Sequence, residues 1–111
     1  MTRAIFLKDG FYIAGHAGYA PSGSDIVCAA ASALAQSAYL ALRHYGVKAS
    51  GYQDDRRGVF FVAIPERDEE KRRIASVIIT QMRLGLEQIA SQYPRYLRII
   101  SHQDGGGNND V

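Results

Sequence analysis

One cysteine in 111 residues is the scarcity that constrains this sequence most. It excludes an internal disulfide and any site that needs several thiolates, and it suits a reducing compartment. Cys28 is therefore either a buried, inert thiol or a reactive one. Proline is sparse too: the three prolines are scattered, and no stretch is rich enough in Pro, Gly or Ser to join two halves. No apolar run approaches the length of a membrane span, and the opening MTRAIFLKDG lacks the apolar core of a signal peptide. A cytoplasmic protein with no membrane association is expected. An excess of one charge is also missing, since 13 basic residues face 11 acidic ones for a net charge of +2. That balance argues against wholesale attraction to nucleic acid. The pairs Arg56-Arg57 and Arg72-Arg73 come without an aromatic stacking platform, so no direct nucleic-acid binding is expected. No cofactor and no metal are expected either.

With 47% hydrophobic and 22% charged residues, the chain suits one domain with a real core. The domain is expected over residues 1–103. The glycine- and asparagine-rich end, 104–111, cannot bury enough apolar surface to offset its ordering entropy and is expected to be disordered.

Ala4 to Leu7 and Phe11 to Ala14 read as strands around the turn Lys8-Asp9-Gly10. The segment HAGYAPSGS from His16 carries loop chemistry. Ser24 or Asp25 then caps an alanine-rich helix from Ile26 to His44, which Gly46 stops. Its apolar stripe is Val27, Ala31, Leu34, Ala38 and Leu42. Val47 to Gln53 and Val59 to Ile64 form a second hairpin around Asp54-Asp55-Arg56-Arg57-Gly58. After the charged stretch Glu66 to Arg73, the residues Ile74, Ile78, Met82, Gly85 and Ile89 mark a second amphipathic helix that reaches about Tyr93 and is stopped by Pro94. Tyr96 to Ile100 reads as a last strand. The order ββαββαβ predicts an α+β fold with two helices packed on a largely antiparallel sheet. In the second helix, Ile79, Leu86 and Tyr93 flank the main stripe, which predicts surplus apolar surface on that face.

Cys28 falls in the first helical turn, where unpaired N–H groups and the helix dipole favour a thiolate. His16 stands one short loop upstream, at the end of a strand, so imidazole and thiol can meet. Such a pair performs nucleophilic acyl chemistry: the histidine takes the thiol proton, the sulfur attacks a carbonyl, and the histidine protonates the leaving amine. Free N–H groups near Cys28 would hold the oxyanion. Spacing alone leaves open an inert cysteine packed as a small hydrophobe. His44, at a helix C-terminus, and His102, beside the tail, are weak catalytic candidates.

The string GHAGYAPSGSDIVCAAASAL, from Gly15 to Leu34, resembles the signature of the ribosomal-processing cysteine protease family (Prp, YsxB-like). A Gly-His dipeptide, a glycine-containing loop, Asp-Ile-Val-Cys-Ala and a Ser-Ala pair carry the likeness. The later IITQMRLGLEQIASQYPRYLRI is similar to the family's long helix and last strand. The resemblance implies a homodimeric cysteine endopeptidase whose catalytic dyad maps onto His16 and Cys28. It further implies removal of the N-terminal extension of a large-subunit ribosomal protein, the twenty-seventh, in support of ribosome maturation. Asp25 suits an N-cap better than an orienter of His16. Gly18, Tyr19, Gly23 and Ser32 are candidate substrate-binding residues, with the two glycines as hinges of a lid. The loop from Ala17 to Gly23 is less polar and acidic than in some members.

Overall fold

A continuous apolar run, Ala4 to Leu7, opens the sheet. In the computed structural model, which describes residues 1–21 and 23–101, β1 (Thr2–Leu7) and β2 (Gly10–Ala14) form an antiparallel hairpin. Helix α1 (Ile26–His44) follows, then the hairpin of β3 (Ser50–Asp54) and β4 (Val59–Ala63), helix α2 (Glu69–Gln92) and β5 (Leu97–Ser101). The strands lie in the order β3-β4-β2-β1-β5. All pairings are antiparallel except β1 with β5, which is parallel. The expected α+β architecture is therefore present, with a mixed sheet. The expected tail, 104–111, and His102 lie outside the described residues.

Each helix is set by its ends. Asp25 caps α1, its carboxylate accepting from the N–H groups of Val27 and Cys28. At the other end Gly46 has φ +78°, with its N–H on the Arg43 carbonyl and the Val47 N–H on the Leu42 carbonyl. This is a Schellman stop, and it buries Val47 against the helix. The strand expected from Val47 therefore begins only at Ser50, because Val47 serves the helix end. Asp68 caps α2 through the Lys71 N–H. Glu66, only 3% exposed, ties this corner together by accepting from the N–H groups of Lys48, Arg67 and Asp68.

The core lies between the helices and one sheet face. Thr2, Ala4 and Phe6 of β1, Phe11 and Ile13 of β2, Val62 of β4 and Leu97 of β5 are buried there. The buried line of α1 is Val27, Ala31, Ala35, Ala38 and Leu42, with Leu34 only partly buried. In α2 it is Ala75, Met82 and Leu86; Met82 belongs to the expected stripe, whose Ile74, Ile78 and Ile89 are partly buried against the core. Full burial of Leu42, Met82 or Leu86 is worth about 1.5–3 kcal/mol each. Gly85 lets the helices approach, since a Cβ there would stand 3.0 Å from Leu34 Cδ1.

Two expectations need correction. Leu86 and its neighbours Ile79 and Tyr93 belong to the core or its margin, so the exposed apolar residues of α2 are instead Val77 and Leu84. Second, α1 is long and apolar enough, by length and composition, to cross a membrane. Its alanines supply that character, and its buried line packs against the sheet.

The other sheet face carries a row of register partners: Tyr52 opposite Phe61, Phe61 opposite Tyr12, Tyr12 opposite Ile5, and Ile5 opposite Ile100. Alternation along each strand turns this row away from the helices.

Candidate active site

The end of β2 and the start of α1 converge beside the first residue of β1. Gly15 makes the bend after β2 at φ +86°, and a Cβ there would lie 2.7 Å from the Met1 carbonyl oxygen. Only glycine allows that close passage. The bend delivers His16 to an exposed position and Ala17 to a buried one. The Ala17 N–H points at Cys28 Sγ, 3.1 Å away. On the other side the buried Thr2 hydroxyl donates to the Gly15 carbonyl at 3.2 Å and lies 4.0 Å from Cys28 Sγ. Cys28 is half-buried, packed against the core with one side open.

His16 and Cys28 line the same two cavities. One, of about 140 Å³, runs inward past Thr2, Ile13, Ala31, Ala35 and Phe60. The other, of about 510 Å³, opens outward past Gly18, Ala20, Gly23, Asp25 and Ala29. Ser32 and Asp55 also border both. Three of the four substrate-binding candidates inferred from sequence thus share walls with His16 and Cys28, namely Gly18, Gly23 and Ser32. Tyr19 lies elsewhere. Its ring packs edge-on against Tyr93 and Tyr96, with centroids 5.4 and 5.2 Å apart, and pins the loop to the end of α2. Among the described residues the sulfur accepts from the Ala17 N–H and meets the Thr2 hydroxyl, whose proton is on the Gly15 carbonyl, so that there the thiol donates; neither contact involves His16. A resting enzyme commonly tightens such a contact only when substrate is bound.

Asp25 organises the whole entrance. One carboxylate oxygen accepts from Val27 and Cys28 N–H at 3.0 Å each, and the other from Tyr19 and Ala20 N–H at 2.9 and 3.3 Å. Burial alone would raise its pKa, but these four donors outweigh it and hold the carboxyl below its ordinary value. It is a cap and a loop anchor. The expectation of free N–H groups at the helix start is corrected here: those of Val27, Cys28 and Ala29 all bond to Asp25, through its side chain or its carbonyl.

Sequence reading missed Thr2, Ala17, Gly58 and Asp55. Thr2 alone left a trace, as a polar residue in phase with the inward Ala4 and Phe6. Ala17 reaches the sulfur as the residue after His16, and Gly58 and Asp55 reach the site through contacts distant in sequence.

Residues 1–98 match the profile of the family described as cysteine protease Prp. The chain is 31% identical over 98 residues to the ribosomal processing cysteine protease Prp of Bacillus subtilis, covering 83% of this chain and 84% of that protein. Its fold is similar to the crystal structure of the essential ribosomal processing protease Prp from S. aureus in complex with a covalently linked product peptide. There the TM-score is 0.82 at 23% identity, covering 92% of this chain and 100% of the other. SMU.848 from Streptococcus mutans is also similar, with a TM-score of 0.69 at 24% identity, covering 91% and 93%.

Proposed function

The chain belongs to the cysteine protease Prp family, and from that premise we propose that Cys28 is its nucleophile and His16 its general base. The observation that carries this reading is the sharing of two cavities by an exposed imidazole and a half-open thiol. In the proposed reaction His16 takes the thiol proton and Sγ bonds to the carbonyl carbon of the scissile peptide. The tetrahedral oxyanion collapses, the C–N bond breaks, and the imidazolium gives its proton to the leaving amine. Water then attacks the thioester with His16 again as base, releasing a carboxylate and restoring the thiol.

With the first-turn N–H groups held by Asp25, the Ala17 N–H is the donor best placed to receive the oxyanion, since it already reaches the sulfur. The substrate proposed is the N-terminal extension of a large-subunit ribosomal protein, the twenty-seventh. Support comes from the relative named a ribosomal processing protease and from the S. aureus protein captured with a substrate peptide. A covalently linked product in another S. aureus structure agrees with a covalent step. Gly18 and Gly23, both at positive φ, are proposed hinges around the anchored Tyr19.

We further place the protein in the cytoplasm, where its substrate is made, and read it as a homodimer that does not bind nucleic acid directly. The row Tyr52, Phe61, Tyr12 and Ile100, with Ile5 buried among them, supports the dimer, because a two-fold axis would lay it against its own copy. Purified protein incubated with the full-length ribosomal precursor tests the activity. One cut that releases the extension, seen by intact mass, is the expected result. A precursor left whole by a folded, reduced enzyme would overturn the substrate assignment.

A further inference from the structure

We propose that Gly58 is a positioning residue for His16, its missing side chain forming the seat on which the imidazole rests. The inference depends on the dyad reading above. A Cβ built at Gly58 would stand 3.0 Å from both Cε1 and Nε2 of His16 and 3.3 Å from Cδ2. The ring therefore lies close on the Gly58 backbone, and a side chain there would force it to give by a few tenths of an ångström. Among the described residues no hydrogen bond holds that ring, and His16 is exposed. An exposed histidine left to itself samples several rotamers, so a fixed surface beneath it selects one.

The seat is itself stiff. Asp54 accepts from the Arg56 and Arg57 N–H groups at 3.1 and 3.2 Å, which shapes the turn between β3 and β4. The Gly58 N–H returns to the Asp55 carbonyl at 3.3 Å. The Gly58 carbonyl accepts from the N–H of Gly15 at 2.9 Å. One residue thus registers the backbone just before His16 and also receives its ring. Asp55 of the same turn lines both cavities with His16 and Cys28. The hairpin is consequently a wall of the site, and its glycine meets two separate demands. A φ of +65° admits glycine or asparagine, whereas only glycine leaves the His16 ring undisplaced.

That difference supplies the test. Gly58→Asn keeps a residue tolerant of positive φ but sets a Cβ 3.0 Å from the imidazole, which must shift to make room. Gly46→Asn is the matched control, at φ +78° with nothing within 4 Å of its would-be Cβ. Two readouts are compared: peptide-cleavage kinetics, and the rate of Cys28 alkylation by iodoacetamide across pH 5–9. The expected result for Gly58→Asn is a fall in kcat of about tenfold or more with little change in KM, because the displaced base acts in the transition state. The alkylation profile should move toward that of His16→Ala, while Gly46→Asn follows wild type. A Gly58→Asn protein that matches Gly46→Asn in both readouts overturns the proposal. If Gly58→Asn alone does not fold, folding of the double variant with His16→Ala supports the clash, and its failure to fold contradicts it. His16→Ala with an unchanged alkylation profile would sink the dyad reading, whereas a changed profile there and an unchanged one in Gly58→Asn would sink the seat alone.

Discussion

Replacing Asp25 with alanine removes four hydrogen bonds at once, two that cap α1 and two that hold the loop at Tyr19 and Ala20. Loss of an N-cap costs about 0.5–2 kcal/mol. The loop N–H groups lie near the surface and regain water, which limits their added cost. For a domain of this size a loss of ~1–2 kcal/mol lowers the melting temperature by roughly 4–10 °C. Asp25→Asn separates the two roles. Asparagine caps a helix about as well as aspartate, but its amide nitrogen cannot accept from the loop. Its melting point should fall by less than half as much, while the 18–23 loop becomes more open to limited proteolysis.

The pH dependence has a definite sign. Because the folded carboxyl sits below its ordinary value, its contribution is complete above the unfolded value of ~3.9 and is lost as pH falls through the folded one. The gap between wild type and Asp25→Ala is therefore flat from pH 7 to 5 and closes below about pH 4. Differential scanning calorimetry on both variants reads this directly. A melting point for Asp25→Ala within about 1 °C of wild type, or a gap that closes between pH 7 and 5, would refute the reasoning.

Glu66→Gln should also lower the melting temperature, since one amide oxygen cannot replace two carboxylate oxygens serving Lys48, Arg67 and Asp68. The bonds from Lys48 and Asp68 lead in holding its carboxyl below the ordinary value, so this loss too fades only in acid, as seen by melts at pH 3 and 7. Met82→Ala, at a fully buried position, should cost about 2–5 kcal/mol in urea unfolding, and a cost near zero would misplace the helix face. Tyr12→Lys, in the middle of the apolar sheet row, should convert the proposed dimer to monomer by light scattering at micromolar concentration; a wild-type monomer with full peptidase activity would remove the dimer from the account.

Local chemistry made most of the fold legible. Asp25, a run of alanines and Gly46 bracket α1, and its observed bounds are those expected, because both ends are fixed within a few residues. Val47 misled for the opposite reason. An apolar residue before a strand looks the same whether it starts that strand or closes a helix end. The parallel pairing of β5 with β1 depends on partners that no local pattern specifies. At the site, Gly15, His16 and Cys28 lie within one recognisable string, which makes their nearness in space legible. Gly58 was not, because a turn glycine at positive φ satisfies the hairpin whether or not an imidazole lies on it. The engagement of the first-turn N–H groups by Asp25 escaped notice too, since a cap and an oxyanion site draw on the same donors.

The central claim is that the Cys28 sulfur performs the covalent chemistry. Its most direct test is the rate of cleavage of a peptide spanning the extension by Cys28→Ala, a change small enough to leave the half-buried position packed. The account predicts no cleavage above the uncatalysed background by a protein whose melting curve stays cooperative. Cleavage by that variant at a rate near wild type would contradict it.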